Sequence, residues 1–265
     1  MYDFKFYQPR TLDEASELLE QWPNSKLIAG GMSLVPTLKF RLAKYDALID
    51  LSGIKTLNGI KVDPDYLEIG AMAKHVEVAS SFEVKSSISA LSNLASGIGD
   101  PYVRNRGTLG GSISNADPAA DYPAAILGLD CEVLTNRRSM MGDEFFKGFY
   151  ETELNPGEFV VSVKFRKPLK SGYVKLRHPA SRFAIMGIFV SQYKTQVRVA
   201  VTGAASRVFR VKDAELALGN QFHVDAIKDI RLEVDELNSD IHASAAYRSF
   251  CFNGLLKRCL DAMHS

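Results

Sequence analysis

Cysteine is scarce in this chain. Only Cys131, Cys251 and Cys259 occur in 265 residues, and no two form a CxxC pair. An iron–sulfur cluster takes about four thiolates, so this chain alone builds none. An odd count without a framework argues against a disulfide-stapled secreted domain. Three buried free thiols are expected instead. Excess charge of one sign is also missing: 32 Lys and Arg face 31 Asp and Glu, for a net charge of +1. Without a strongly basic block there is no electrostatic case for nucleic acid or an anionic membrane surface. The five His residues are scattered without ligand spacing, so no metal is expected here. No apolar run approaches the ~20 residues of a membrane span. Met1-Tyr2-Asp3-Phe4-Lys5-Phe6 has no basic segment leading into an apolar one, so no signal peptide is read. A cytoplasmic protein is expected.

What is present is an ordinary globular composition, 46% hydrophobic and 24% charged. It suffices for one large domain or two modest ones with a sizeable core. Thr11-Leu12-Asp13-Glu14 reads as a capping box. Leu12, Ala15, Leu18, Leu19 and Trp22 then share one helical face, ending near Pro23. Strands are expected at Lys26–Ala29, Ala47–Leu51, Leu67–Ala71, Glu132–Thr135 and Phe159–Phe165, and helices at Ser87–Ile98 and Ala124–Leu129. Helices and strands interleave without regular βα units, which favours α+β over a doubly wound sheet. Lys167 to Gly172 has the texture of a domain junction. Beyond it, Ala184–Tyr193 and Gln196–Gly203 read as a hairpin turning at Lys194-Thr195, with helices at Lys212–Leu218 and Asp240–Met263.

Two glycine loops stand out. One is Lys26-Leu27-Ile28-Ala29-Gly30-Gly31-Met32-Ser33-Leu34-Val35-Pro36. The other is Arg104-Asn105-Arg106-Gly107-Thr108-Leu109-Gly110-Gly111-Ser112-Ile113-Ser114-Asn115, running on through Asp117-Pro118-Ala119-Ala120-Asp121-Tyr122-Pro123. Glycine lets backbone approach a ligand and adopts positive φ. Successive N–H groups in such a turn form an anion nest. Ser33 and Thr108 each add a hydroxyl donor, and two converging nests could hold a pyrophosphate. A single Gly-Gly loop is usually only a tight turn; two with hydroxyls, followed by Asn115 and Asp121, point further. The commoner nucleotide signatures are missing. There is no GxxxxGK followed by Ser or Thr. Gly97-Ile98-Gly99 lacks a third glycine, and the Asp100-Pro101 after it is not expected to open a helix in the Rossmann manner.

At these residues the sequence resembles the FAD-binding medium subunits of molybdenum hydroxylases, a group that includes carbon monoxide dehydrogenase and the flavin domain of xanthine dehydrogenase. Ala29-Gly30-Gly31-Met32-Ser33-Leu34-Val35-Pro36 matches the family's AGGxSLxP, and Thr108-Leu109-Gly110-Gly111 its second motif. The resemblance runs from Phe6-Tyr7-Gln8-Pro9 through the C-terminal region. It implies a fold like that of vanillyl-alcohol oxidase-type flavoproteins. An FAD-binding domain would span 1–168, as two subdomains of roughly 1–55 and 56–168, and a C-terminal α+β domain would span 169–265 with a three-stranded sheet and helices. It implies FAD held by Lys26, Leu27, Ile28, Ala29, Gly30, Gly31, Met32, Ser33 and Leu34 on one side. Gly107, Thr108, Gly110, Gly111 and Ser112 would line the other, with Asn115, Asp121, Val160, Lys175 and Ile98 near the cofactor. Met32 stands where carbon monoxide dehydrogenases have His. Arg182 and Phe183 stand where many relatives have an acidic residue and then an aromatic.

The implied function is electron transfer: a partner molybdenum subunit hydroxylates substrate, a small subunit with two 2Fe–2S clusters relays electrons, and FAD here passes them to an acceptor. The expected assembly is a heterotrimer with a large molybdopterin subunit and a small iron–sulfur subunit, a dimer of heterotrimers being one arrangement. The rival enzymatic reading is a stand-alone flavin oxidase of the same fold, with His75 or His178 as candidates for covalent attachment. A non-enzymatic alternative is a nucleotide-binding regulatory module.

Overall fold

The computed structural model describes residues 1–263. Three principal sheets follow one another along the chain, with helices between and around them, in an α+β fold. The first has the strands Lys5–Tyr7, Ala47–Asp50 and Ser25–Ile28 in that spatial order, both pairs parallel. Parallel neighbours need a crossover, and the helix Leu12–Gln21 supplies one. Thr11 caps it, its hydroxyl accepting from the Glu14 N–H at 3.1 Å. The Glu14 carboxylate reaches back to the Arg10 N–H at 2.7 Å, so the capping box is closed one residue early. The apolar stripe of this helix packs Ala15, Leu12 and Leu19 with Leu51, Ile54 and Leu57.

The second sheet is antiparallel, in the order Ile60–Val62, Tyr66–Gly70, Val160–Arg166, Cys131–Thr135 and Ser139–Met141. Six helices lie between Tyr66–Gly70 and Cys131–Thr135 in the sequence. The helix expected over Ser87–Ile98 is Ser89–Ser96; a separate helix, Phe82–Ser87, precedes it, the two parting at the buried Ile88, which leaves helical backbone at φ −146°. Asp100-Pro101 does open a helix, Pro101–Arg106. Proline occupies the first turn, where no N–H is needed, and the Asp100 carboxylate accepts from the Val103 N–H at 2.9 Å.

The third sheet has four strands where three were expected: Lys170–Arg177, Ala184–Gln192, Val197–Thr202 and the two-residue Phe209–Arg210, paired with Ala200 and Val201. The first of these begins inside the stretch read as a junction. The hairpin at Lys194-Thr195 is closed by Tyr193 N–H donating to the Gln196 carbonyl at 2.8 Å. Alternation along Ala184–Gln192 sends Met186, Ile188 and Val190 to a core shared with the helix Ala245–Ala262, while Phe189 points the other way, into the core of the second sheet. That helix starts at Ala245, five residues later than expected. The Asp240 carboxylate instead accepts the N–H groups of His242 and Ala243 at 2.8 and 3.0 Å, which competes with helix.

Polar side chains tie the third sheet to the helix Tyr122–Gly128. Arg198, 4% exposed, donates to the Leu127 carbonyl at 2.8 Å and pairs with Asp130 at 3.0 Å and with Asp143. The Thr202 hydroxyl meets the carbonyls of Pro118 and Ala120 at 2.9 and 2.7 Å. Cys131 and Cys259 are buried as expected, but Cys251 is only half-buried. Among the described residues no helix is long and apolar enough to cross a membrane, and no cluster of three His, Cys, Asp or Glu could hold a metal.

Candidate functional site

The strand Ser25–Ile28 runs into Ala29-Gly30-Gly31-Met32-Ser33, which turns into the helix Leu34–Lys39. Gly31 takes φ +76° and Ser33 right-handed helical backbone. None of the backbone N–H groups from Gly30 to Leu34 donates to another group among the described residues. A left-handed Gly31 followed by consecutive free amides suits an anion nest. Ser33 stands at the cap position without making a cap hydrogen bond, and both it and Met32 are exposed. Lys26, Leu27 and Ile28 pair with the strand Ala47–Asp50. Leu27 and Ala29 pack in one cluster with Met72 and Val161.

The second loop runs from the helix Pro101–Arg106 through Gly107 and Thr108 into the helix Leu109–Asn115. Its glycine amides are used within the protein, contrary to the expectation of a second nest. Gly110 N–H donates to the Ala71 carbonyl at 2.8 Å, and Gly111 N–H to the Thr108 hydroxyl at 3.1 Å. These glycines bring chains together. A Cβ on Gly110 would stand 2.5 Å from Ala71 Cβ, one on Gly107 2.4 Å from His75 Nε2, and one on Gly111 3.3 Å from Ala29 Cβ. From the facing loop, a Cβ on Gly30 would stand 2.1 Å from the Arg106 carbonyl oxygen. The two loops therefore meet, and the consecutive run of free amides belongs to the first. The second contributes the half-buried Ser112 and Asn115, whose side chains have no hydrogen-bond partner among the described residues. Thr108 is buried, and its oxygen is the helix cap.

A third segment, Gly97-Ile98-Gly99, is gripped through its carbonyls. Lys175 donates to the Gly97 oxygen at 3.0 Å, Arg104 to those of Ile98 and Gly99 at 2.8 and 3.1 Å, and Arg182 to that of Gly99 at 3.1 Å. Lys175 also pairs with the buried Asp121 carboxylate at 2.8 Å, which accepts from the Tyr173 hydroxyl as well. Burial pushes the Asp121 carboxyl above the ordinary carboxylate range, against the pull of the Lys175 ammonium. Asp121 thus orients Lys175 and is itself sealed at 4% exposure. Val160 is buried in the second sheet's core with Leu109 and Ile113. Arg104, Tyr173 and Arg182 are the members of this network that sequence reading had not singled out for a role. Arg104 lay beside the second motif and Arg182 at a departure from the family pattern; Tyr173 carried no signal of its own.

His75 is buried beneath Gly107, with its ring centroid 5.4 Å from that of Tyr122. Burial, helped by the Arg104 charge, lowers its pKa to about 4, so it is neutral at physiological pH. His178 accepts the Ser181 N–H at 3.1 Å, and its ring lies 4.4 Å from that of His242. Both rings line a separate cavity of about 380 Å³ with Asp117, Tyr150 and Phe183. Neither histidine lies in a glycine loop.

Residues 2–168 match the family described as the FAD binding domain in molybdopterin dehydrogenase. The chain is 31% identical to the glyceraldehyde dehydrogenase medium chain of Sulfolobus acidocaldarius, over 93% of each chain. It is 32% identical to the carbon monoxide dehydrogenase medium chain of Hydrogenophaga pseudoflava, over 98% of this chain and 96% of that one. Its fold matches a chain of quinoline 2-oxidoreductase from Pseudomonas putida 86 with a TM-score of 0.90 and 26% identity, covering 99% of this chain and 97% of that one. With paired glycine loops, one bearing a run of free amides, and a match that covers more than half its length, this chain belongs to the FAD-binding medium subunits of the molybdenum hydroxylases.

Proposed function

We propose that FAD is held between the two glycine loops, and that this chain passes electrons arriving from a partner's iron–sulfur clusters to an external acceptor. The run of unpaired amides from Gly30 to Leu34 carries the reading. A pyrophosphate supplies acceptors for these half-exposed and exposed donors, and several converging N–H groups bind such an anion together. Gly30, Gly31, Met32, Ser33 and Leu34 would form that contact. Lys26 to Ala29, Gly107, Thr108, Gly110 and Gly111 would act as the framework that shapes it. Ser112 and Asn115 would offer side-chain bonds, and Ile98, Lys175 and Asp121 would border the ring, with Val160 behind. Bound flavin supplies exchange between one-electron arrival and two-electron delivery; the protein's part is placement and electrostatics.

The medium-chain names of the relatives support large and small partner subunits; we infer that the large one carries molybdopterin and the small one two 2Fe–2S clusters, as a heterotrimer or a dimer of heterotrimers in the cytoplasm. Residues 1–168 would form the FAD-binding domain, with subdomains of roughly 1–55 and 56–168, and 169–265 the C-terminal domain. The test is isolation from the native source, followed by subunit, metal and flavin analysis. Noncovalent FAD, iron and molybdenum in a complex are expected. A fully active single chain, or a flavin-free complex, would defeat the reading.

A further inference from the structure

Three cationic side chains from two different parts of the fold converge on one turn. Arg104, from the helix Pro101–Arg106, holds the carbonyls of Ile98 and Gly99 through one guanidinium nitrogen, at 2.8 and 3.1 Å. Arg182 reaches the same Gly99 oxygen at 3.1 Å from the loop between the strands Lys170–Arg177 and Ala184–Gln192. Lys175, on the first of those strands, takes the Gly97 oxygen at 3.0 Å and also the Arg182 carbonyl at 3.0 Å. Arg182 stands at φ +63°, a conformation that is uncommon for a side-chain-bearing residue and persists when its surroundings hold it.

The peptide plane gives this clamp a consequence. The peptide bonds of the described residues are trans, so the N–H of Gly99 points opposite to the Ile98 carbonyl. With the carbonyl pinned to Arg104, that N–H is turned away from the clamp, and it donates to no group among the described residues. Ile98 beside it is half-exposed. The charges facing the turn are the cations of Arg104, Arg182 and Lys175 and the carboxylates of Asp121 and Asp100, an excess of positive charge. The neutral His75 adds none.

We propose that Arg104 and Arg182 are positioning residues for the flavin's electron uptake. By clamping Ile98 and Gly99 they aim the Gly99 N–H at the ring edge and place net positive charge beside it. Two-electron reduction of a flavin with uptake of one proton leaves the ring one unit more negative, so a donor and positive charge there favour the reduced form. The inference rests on the FAD reading above.

The experiment is a potentiometric titration of the flavin band in the FAD-containing complex, comparing the parent with Arg104→Met, Arg182→Met and Arg104→Lys. Each Met variant should weaken binding of reduced relative to oxidised flavin about ten-fold, lowering the two-electron midpoint potential by roughly 30 mV. Arg104→Lys should recover most of the shift, which a purely structural role would not predict. Parental potentials in both Met variants would overturn the proposal while leaving FAD binding intact. If Arg104→Met retains no flavin, Arg182→Met decides, because Arg182 lies on the surface. A parent complex without FAD would sink the functional reading itself.

Discussion

Gly30 lies against the Arg106 carbonyl so closely that a Cβ built on it would stand 2.1 Å from that oxygen and 2.7 Å from Gly107 Cα. Both obstacles are backbone, so neither can swing aside. Gly30→Ala should therefore separate the two loops and weaken FAD binding by at least ten-fold, about 1.4 kcal/mol, while also lowering apo stability. Gly111→Ala meets the Thr108 hydroxyl at 2.8 Å and Ala29 Cβ at 3.3 Å. It should be milder, since a hydroxyl can give way. Flavin titration with melting temperatures of apo and loaded protein checks both; equal affinity for Gly30→Ala and parent would exclude the first loop from the cofactor site.

Ser33 should act on binding alone. Its hydroxyl caps nothing and is exposed, so Ser33→Ala removes a free donor without disturbing a helix end. The expected result is an unchanged melting temperature with FAD affinity lower by a few-fold to about ten-fold, the worth of one hydrogen bond to a charged acceptor. A fall in apo stability with parental affinity would assign Ser33 a structural role.

His75 makes stability depend on pH. Its folded pKa, about 4, lies below the ordinary 6.5. The unfolded chain then binds the extra proton first, so this contribution is fully present above about pH 6.5 and is lost as pH falls toward 4. The whole effect is on the order of 3 kcal/mol. His75→Gln should flatten the melting temperature between those limits, whatever its absolute stability. A parental pH slope in that variant would place the titration elsewhere.

Arg198 joins two parts of the fold while almost fully buried. Removing it takes its donor from the Leu127 carbonyl and one cation from Asp130, which Arg166 and Gln196 still reach at 3.3 and 3.2 Å. Arg198→Met should cost about 1–3 kcal/mol by denaturant unfolding, since Asp143 keeps Arg210 as Asp130 keeps Arg166. A loss under 1 kcal/mol would mean that water replaces the arginine at little cost.

Thiol reactivity separates the three cysteines. Burial pushes the Cys131 thiol far up and Cys259 to about 12, so neither offers thiolate at neutral pH. In the isolated native chain one thiol, Cys251, should react with a small disulfide reagent, and all three after denaturation. Rapid labelling of Cys131 or Cys259 in folded protein would contradict this.

Sequence alone determined much here, because the relevant physics is local. Apolar runs flanking a Lys194-Thr195 turn marked the strands Ala184–Gln192 and Val197–Thr202, the Thr11 cap marked the first helix, and the glycine loops with their hydroxyls marked a nucleotide site. Which glycines face a ligand was not local. Gly30-Gly31 and Gly110-Gly111 look alike as text. Only the fold sets Ala71 against one pair and leaves the amides of the other without acceptors. Asp100-Pro101, by contrast, was a local signal passed over: an Asp cap followed by Pro in the first turn opens a helix. The cation clamp on Ile98 and Gly99 draws residues 83 positions apart to one oxygen, and no periodicity records such a distance. Tertiary structure decided it, because hydrogen bonds depend on position in space, and chain separation restricts that position only weakly.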